Sequence, residues 1–111
     1  MTVAESGLIE IEPVTLAALL LAGDAVVLDV REQEEWTAER IPGAVCHPMS
    51  GFDPDGWPGF PGQMVVIACL GGVRSAAVGR RLIAAGRAWA VHLKGGLRAW
   101  RDAGFTTETG E

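Results

Sequence analysis

Short apolar runs alternate with segments of helical character along the whole chain. One such run, Ala25–Val30, is apolar apart from Asp29, which is typical of a strand buried on both faces. The predicted strands are Leu8–Ile11, Ala25–Val30, Val45–His47, Val65–Ala68 and Trp89–Leu93. The predicted helices are Thr15–Ala22, Glu32–Glu39, Ser75–Ala85 and Gly96–Ala103. This alternation predicts an α/β fold, with a mainly parallel five-stranded sheet and helices on both faces.

The composition is that of an ordinary globular protein. Of its 111 residues, 49% are hydrophobic and 21% are charged, which allows a core without disulfide or metal support. A net charge of −5 argues against nucleic-acid binding, which needs clustered Lys and Arg. We expect a single domain over residues 1–111, with frayed tails at 1–7 and 105–111.

The two cysteines and the first residues of the chain indicate the cellular compartment in which the protein is expected. The first residues are acidic and lack the regions of a signal peptide, and no apolar run approaches the roughly 18 residues of a membrane span. We therefore expect a cytoplasmic protein with no membrane partner. Cys46 and Cys69 lack metal-ligand spacing, so no metal and no cofactor is expected. Cys46 is interpreted as a small core or edge residue, with a resolving thiol as the alternative.

One segment carries the chemistry. The apolar run Val65–Ala68 ends at Cys69, and a glycine-bearing loop follows and leads into a helix. Backbone N–H groups of such a loop bind anions, and with Arg74 they would stabilise a thiolate. A buried cysteine acting as a small hydrophobe is the alternative, but it gives no reason for the glycines and the arginine. The candidate site is Cys69 with Leu70, Gly71, Gly72, Val73, Arg74 and Ser75.

Polar residues also follow two other predicted strands. Ligands of parallel sheets bind beyond the carboxyl ends of the strands, so Asp29 and His47 are expected at the same edge as the thiol. A buried aspartate is costly unless it is hydrogen-bonded, so Asp29 is expected to accept backbone N–H groups. Arg31 is expected to pair with Glu34 or Glu35. A substrate contact by Arg31 and a proton-shuttle role for His47 are the alternatives.

The segment Ser50–Gly62 is rich in Gly and Pro, yet it carries aromatic side chains. It cannot form a long regular element. Trp57 and Phe60 either pack down as an apolar plug, or line the mouth of the site and dock a partner. The other aromatic side chains predicted in structural roles are Trp36, Trp89 and Trp100 in the core and His92 within a strand.

Four short motifs, in order, resemble those of single-domain rhodanese-like sulfurtransferases. They are Asp29–Glu32 with Glu35-Trp36, Arg40–Ala44, Cys69–Ser75 in the form Cys-x-x-Gly-x-Arg-Ser, and Leu93–Leu97 with Trp100. Together they cover nearly the whole chain. The resemblance implies the three-layer rhodanese-like fold.

The resemblance also implies an activity, that of a rhodanese-type sulfurtransferase. Cys69 would take a sulfane sulfur from thiosulfate or from the persulfide of another protein, and hold it as a persulfide. A thiol, on a small molecule or a protein, or cyanide would then accept that sulfur. The Leu70–Arg74 amides would cradle the persulfide, and Arg74 would bind an oxyanion. Transfer in two covalent steps gives ping-pong kinetics.

Two other functions are weighed against sulfur transfer. A binding or regulatory module with little turnover has no need of the intact Cys69. The related dual-specificity phosphatases use a Cys-x5-Arg loop, whereas Cys69 and Arg74 form the shorter Cys-x4-Arg, which disfavours phosphatase or arsenate reductase chemistry. Leu70 replaces a residue that is polar or basic in many relatives, so a protein persulfide fits as well as thiosulfate. Glu39 and Arg40 replace the usual Gly and His, and are expected to alter helix capping and not catalysis.

Overall fold

The computed structural model describes residues 1–110, which form a six-stranded sheet flanked by helices. The strands are β1 (Thr2–Glu5), β2 (Leu8–Ile11), β3 (Ala25–Asp29), β4 (Val45–Cys46), β5 (Met64–Ala68) and β6 (Ala90–Leu93). The helices are α1 (Pro13–Ala22), α2 (Gln33–Ala38), α3 (Val73–Ala84) and α4 (Gly96–Asp102). The Gly/Pro-rich segment contains only a 3₁₀ turn, Met49–Gly51.

The strand order is β1-β2-β6-β5-β3-β4, and every neighbouring pair is parallel except β1 and β2. The α/β fold with a mainly parallel sheet is thus confirmed, but the predicted count of five strands is wrong. Residues 1–7, predicted to fray, instead supply β1, in which Val3 pairs with Ile9. A turn through Gly7, at φ +82°, folds this hairpin back and covers what would be an open edge at β2.

The predicted elements are found within one or two residues of their expected bounds. The helix starts differ for local reasons. Pro13 occupies the first turn of α1, where its missing N–H costs nothing, so the helix begins before Thr15. Gly72, at φ +101°, is the N-cap of α3, so that helix begins at Val73 and not at Ser75.

Apolar side chains form one cluster on each face of the sheet. Val27 packs in the same cluster as Leu16 of α1, together with residues of α4. The next residue, Leu28, points to the opposite face and belongs to the cluster that contains Val78 of α3. The three predicted layers are therefore present, and α3 together with Trp57 covers the face to which Cys69 contributes.

The chain end after α4 folds against the second helix. Arg40 and Glu108 exchange two backbone hydrogen bonds of 2.9 Å, and their side chains form a 3.1 Å ion pair. Glu39 binds Arg101 at 2.6 Å and the Thr107 hydroxyl at 2.8 Å. The prediction that residues 105–111 fray is therefore wrong for 105–110, while Glu111 lies outside the described residues. Glu39 and Arg40, two of the residues that depart from the family pattern, hold this tail.

The tryptophans differ in burial. Trp100 is buried, and its indole N–H donates to the carbonyl of Thr106 at 2.8 Å. Trp36 is partly buried. Trp89 is 64% exposed, so its predicted place in the core is wrong, because β6 begins one residue later. None of the helices in residues 1–110 has the length and apolar character needed to cross a membrane.

The start of α4 holds the backbone of the candidate loop. The N–H groups of Leu97 and Arg98 donate to the carbonyls of Cys69 and Leu70 at 2.9 and 3.0 Å. Gly96 makes this approach possible, because a Cβ there would lie 2.5 Å from the Cys69 oxygen and 2.6 Å from the Leu70 carbonyl. Its φ of +61° also disfavours any side chain.

Replacing Gly96 with Ala tests this close approach. The new methyl would strike backbone atoms, so we expect a loss of about 3 kcal/mol in the free energy of unfolding, measured in urea. Gly62→Ala is the matched control, because Gly62 has a φ of +80° but nothing within 4 Å of its Cβ position. The control should lose only about 1 kcal/mol. Equal losses in the two variants would show that the contact with the loop is unimportant.

Candidate active site

The Cys69 thiol lies immediately after β5 and is surrounded by hydrogen-bond donors. The residue is 2% exposed. Its Sγ accepts the N–H of Gly72 at 3.1 Å and the N–H of Ser75 at 3.3 Å, and it lies 3.5 Å from the Ser75 hydroxyl. Backbone N–H groups aimed at sulfur favour the thiolate over the thiol. The structure therefore places a nucleophile in a cradle of neutral donors.

The cradle follows from the way α3 begins. Ser75 is the third residue of a 12-residue helix, so its N–H has no acceptor within the helix and is free for the sulfur. The left-handed conformation of Gly72 turns the N–H of that residue toward the sulfur. The positive end of the helix dipole adds to the same effect. Cys69, Gly72 and Ser75 thus meet as the sequence predicts.

Arg74 does not lie free for an oxyanion. Its two terminal nitrogens bind the two oxygens of Glu35 at 2.7 and 3.0 Å. Arg74 therefore supports the loop by fastening it to α2, and the expectation that it offers its guanidinium fork to a donor is not met in this arrangement. Both side chains are about one third exposed, at 35% and 34%.

Glu35 joins α2 to the loop around Cys69. Besides Arg74, it accepts the backbone N–H of Glu32 at 3.1 Å, which caps the first turn of α2. The hydrogen bond from Arg74, aided by that of Glu32, lowers the pKa of Glu35 from an ordinary 4.5 to about 2. The carboxylate is thus charged at any pH at which the protein would be active, and it holds α2 and the loop together.

Asp29 and Arg31 form a buried ion pair. Arg31 Nη2 lies 2.7 Å from Asp29 Oδ2, and the two side chains are 4% and 6% exposed. Asp29 also accepts the backbone N–H of Arg31 at 3.0 Å, as expected. The predicted pairing of Arg31 with Glu34 or Glu35 is wrong, because residues two apart in extended chain project to the same side and Asp29 is nearer. The guanidinium also donates to the carbonyls of Glu35 and Glu39, and the residue is 3% exposed, so it is not presented to a substrate.

A cation that the sequence reasoning missed lies beside the loop. Arg98, the third residue of α4, places Nη1 3.5 Å from where a Cβ on Gly71 would be. It is exposed, and no carboxylate in residues 1–110 forms an ion pair with it. Its charge remains available to an anion at the loop. Its only sequence signal is its place two residues after the Gly95-Gly96 turn.

The remaining loop residues differ in exposure. Leu70 is partly buried and packs on the core cluster that contains Trp100. Gly71 is exposed, and Val73 is 80% exposed at the first position of α3. The loop therefore opens to solvent over Gly71 and Val73.

Trp57 and Phe60 form a plug and do not line the mouth of the loop. Trp57 is 8% exposed, belongs to the same apolar cluster as Cys69, and meets the ring of His47 edge-on at 5.1 Å. Both aromatic residues line a cavity of about 460 Å³ with Trp89, and no residue of the loop 69–75 borders it. His47 makes no hydrogen bond to the thiol within residues 1–110, so the structure gives no support to its role as a shuttle.

Cys46 is a partly buried free thiol on the edge strand β4. Burial, followed by the charge of Asp29, raises the pKa of this thiol, which makes it a poorer nucleophile at neutral pH. Its reading as an edge residue fits better than that of a resolving thiol. Within residues 1–110 no cluster of His, Cys, Asp or Glu has the arrangement of a metal site.

His92 belongs to the site, although its place within a strand predicts only a structural role. Its ring Nδ1 lies 2.9 Å from the Ser75 hydroxyl, and the residue is 2% exposed. The available signal was a polar residue inside the strand Ala90–Leu93, all four residues of which are buried. Sequence alone could not pair it with Ser75, because 17 residues separate the two.

The bond between Glu35 and Arg74 gives a pH-dependent stability. Because the folded-state pKa of Glu35 is lowered to about 2, its contribution is complete above its ordinary value of 4.5 and is lost as the pH falls toward 2. Glu35→Gln should unfold about 1 kcal/mol more easily at neutral pH, a modest value because water screens the pair. The deficit should shrink toward zero across that acidic window, as followed by urea unfolding.

Glu34→Gln is the matched control, because Glu34 neighbours Glu35 on α2 but forms no ion pair within residues 1–110. It should change stability little at either pH. A deficit for Glu35→Gln that stays constant from neutral to acidic pH would contradict the assigned role.

The chain is similar in sequence and fold to known proteins. The chain is 35% identical over 99 residues to an uncharacterized protein of Synechocystis sp., a match that covers 89% of this chain and 55% of that relative. The chain thus spans about half the length of that curated relative. A human single-domain sulfurtransferase has a TM-score of 0.69 at 26% identity, over 84% of this chain and 95% of the human chain.

A thiosulfate sulfurtransferase from Pseudomonas aeruginosa is similar in structure, with a TM-score of 0.75 at 28% identity. That match covers 93% of this chain but 20% of the Pseudomonas chain. The family model described as "Rhodanese-like domain" matches residues 12–103. This chain therefore belongs to the rhodanese-like domain family.

Proposed function

We propose that this protein is a sulfurtransferase that carries a sulfane sulfur on Cys69 as a persulfide. The observation that carries the proposal is the set of contacts to the sulfur, namely two backbone N–H donors at 3.1 and 3.3 Å from a 2% exposed cysteine. Such contacts stabilise both a thiolate and the anionic persulfide that replaces it. The structural likeness to sulfurtransferases supports the same chemistry.

The first step loads the enzyme. The Cys69 thiolate attacks the outer sulfur of thiosulfate, a new S–S bond forms, and the S–S bond of the donor breaks. Sulfite leaves with the electron pair of that bond. No external oxidant is required, because the sulfane sulfur arrives already oxidised relative to sulfide. Free loop amides between Leu70 and Arg74 are the natural donors to the outer sulfur.

The second step removes the outer sulfur from Cys69. An acceptor thiolate or cyanide attacks the outer sulfur of the persulfide, and Cys69 leaves as the thiolate that began the cycle. Because the two substrates act in turn on one sulfur, the kinetics should be ping-pong. The open side of the loop, at Gly71 and Val73, is where an acceptor would approach. A protein thiol would reach the loop from that side.

Arg98 favours an anionic donor. It lies against Gly71 and has no carboxylate partner in residues 1–110, whereas the Arg74 charge is taken by Glu35. A sulfonate group would gain a charge-assisted hydrogen bond there. This observation favours thiosulfate among the small donors, while a protein persulfide that presents a carboxylate would gain the same contact.

The other functions fit the site less well. A binding module would leave the donor-lined sulfur without a purpose. A phosphatase would need the guanidinium of the loop to bind phosphate oxygens, but Arg74 is held in a fork by Glu35. The Cys-x4-Arg spacing of this chain is also shorter by one residue than that of the loop in the related phosphatases.

Intact-protein mass tests the proposal. Incubation with thiosulfate should add the mass of one sulfur atom, and an excess of a small thiol should remove it. Cys69→Ser should gain no sulfur, whereas Cys46→Ala should gain it as the native protein does. Absence of a sulfur adduct with both thiosulfate and a small-molecule persulfide would overturn the proposal, and hydrolysis of a phosphate ester would then favour the phosphatase.

Charge reversal at Arg98 tests donor recognition. Arg98→Glu should raise the KM for thiosulfate about tenfold, with little effect on a persulfide of an uncharged thiol. Arg87→Glu makes the same change of charge at a residue bordering the 460 Å³ cavity instead of the loop, and serves as the control. Equal increases in KM in both variants would show a general effect of net charge rather than a contact by Arg98.

A further inference from the structure

A row of polar groups leads from the thiol into the sheet. Cys69 Sγ lies 3.5 Å from Ser75 Oγ, and that oxygen lies 2.9 Å from His92 Nδ1. On the far side of the ring, His92 Nε2 lies 3.2 Å from Glu10 Oε2. Glu10 and His92 are register partners on the parallel strands β2 and β6. Ser75 is fully buried and His92 is 2% exposed, so the middle of the row is shielded from water, while the Glu10 side chain at its far end is 26% exposed.

The carboxylate sets the tautomer of the ring. An ionised Glu10 only accepts hydrogen bonds, so the nearby Nε2 carries the proton and Nδ1 holds the lone pair. The Ser75 hydroxyl then donates to Nδ1, at the shortest of its contacts, and its oxygen accepts from the thiol. The two links from Cys69 to Ser75 and from Ser75 to His92 therefore have a donor and an acceptor in the right order.

The Nε2 atom of His92 distinguishes this row of polar groups from ordinary core packing. Within residues 1–110, His92 Nε2 is a buried polar atom without an aligned hydrogen-bond partner, since its contact with Glu10 is too bent. A histidine kept only for packing is expected to have both nitrogens satisfied. A ring that gains a full positive charge would draw the Glu10 carboxylate into line and complete this contact.

Burial lowers the pKa of His92, so the ring is neutral at rest. The same burial makes the ring a weaker base, so its protonated form depends on the nearby Glu10 carboxylate. The charged groups that face it act in both directions. Glu10 on β2 and Glu5 on β1 favour the charged ring, while Arg80 on α3 opposes it. Glu5 and Arg80 pair with each other at 2.7 Å, so their effects largely cancel.

We propose that Ser75 and His92 form a proton relay that generates the Cys69 thiolate, with Glu10 as the group that stabilises the protonated ring. The inference rests on the sulfurtransferase function proposed above. The S–H bond breaks and its electron pair stays on sulfur, while the proton passes to Ser75 Oγ. The former hydroxyl proton passes to His92 Nδ1, so Ser75 ends as a neutral hydroxyl. Its O–H now points back to the sulfur and donates to the thiolate.

The relay resets at the end of the catalytic cycle. When the acceptor takes the outer sulfur, Cys69 leaves as a thiolate, and this form can begin the next round directly. If it is not used, the proton returns from His92 through Ser75. His92 and Ser75 are thus positioning residues, since neither touches the transferred sulfur in this scheme. Their role is to set the pH above which Cys69 reacts.

Alkylation of Cys69 by iodoacetamide tests the relay without any sulfur donor. The rate is measured from about pH 5 to about pH 10 in a Cys46→Ala background, where one thiol remains. His92→Asn keeps a group that can bond Ser75 but cannot take up a proton. It should move the pH midpoint up by about one unit and lower the rate about tenfold below that midpoint. Ser75→Ala, a smaller change in the core, should shift it equally.

A double variant separates a relay from two independent effects. If the proton passes through both groups, Ser75→Ala combined with His92→Asn should shift the midpoint no further than either change alone. Glu10→Gln should shift the pH midpoint in the same direction. Glu12→Gln is the control and should not shift it, because Glu12 is an exposed carboxylate that pairs with Lys94. Additive shifts, or an unchanged midpoint in His92→Asn, would overturn the relay. Sulfur loading measured by mass is independent of this result, so the two proposals fail separately.

Discussion

The buried ion pair of Asp29 and Arg31 is the interaction on which the site depends. Two charges that are 4% and 6% exposed are tolerated because they pair with each other and make further hydrogen bonds to the backbone. Arg31 reaches past Asp29 to the carbonyls of Glu35 and Glu39, at the two ends of α2. The pair thereby fixes a six-residue helix that buries no residue of its own. It acts together with the bonds from Glu35 to Arg74 and from Glu39 to Arg101, which also hold this helix in place.

What α2 positions is the loop around Cys69. Glu35 lies in the first turn of that helix and binds Arg74, so the support runs from the end of β3 through α2 to the start of α3. From the other side, backbone N–H groups of α4 donate hydrogen bonds to the carbonyls of Cys69 and Leu70. Gly96 permits this close approach. The loop is thus held from two sides by its own backbone and by Arg74. This leaves the inner face, toward the sulfur, lined by amides.

The division of charge around the sulfur has a chemical consequence. Arg74, the cation within the motif, is neutralised by Glu35, and the stabilisation of sulfur falls to the neutral donors of Gly72 and Ser75. Neutral donors stabilise a thiolate without competing for it as a counterion would, so the sulfur stays available to a substrate. Arg98, which forms no ion pair within residues 1–110, lies at the outer side of the loop, where an anion would arrive.

The sequence by itself determined the layers, the parallel sheet and the loop, because these follow from local periodicity, glycine positions and helix starts. It also located Cys69, Gly72 and Ser75, which lie close together along the chain. Only the tertiary structure decided that Glu35 meets Arg74, and which groups lie behind the thiol. The physical reason is that side chains distant in sequence are paired by strand order and register, as Glu10 and His92 are, and no local pattern encodes that order.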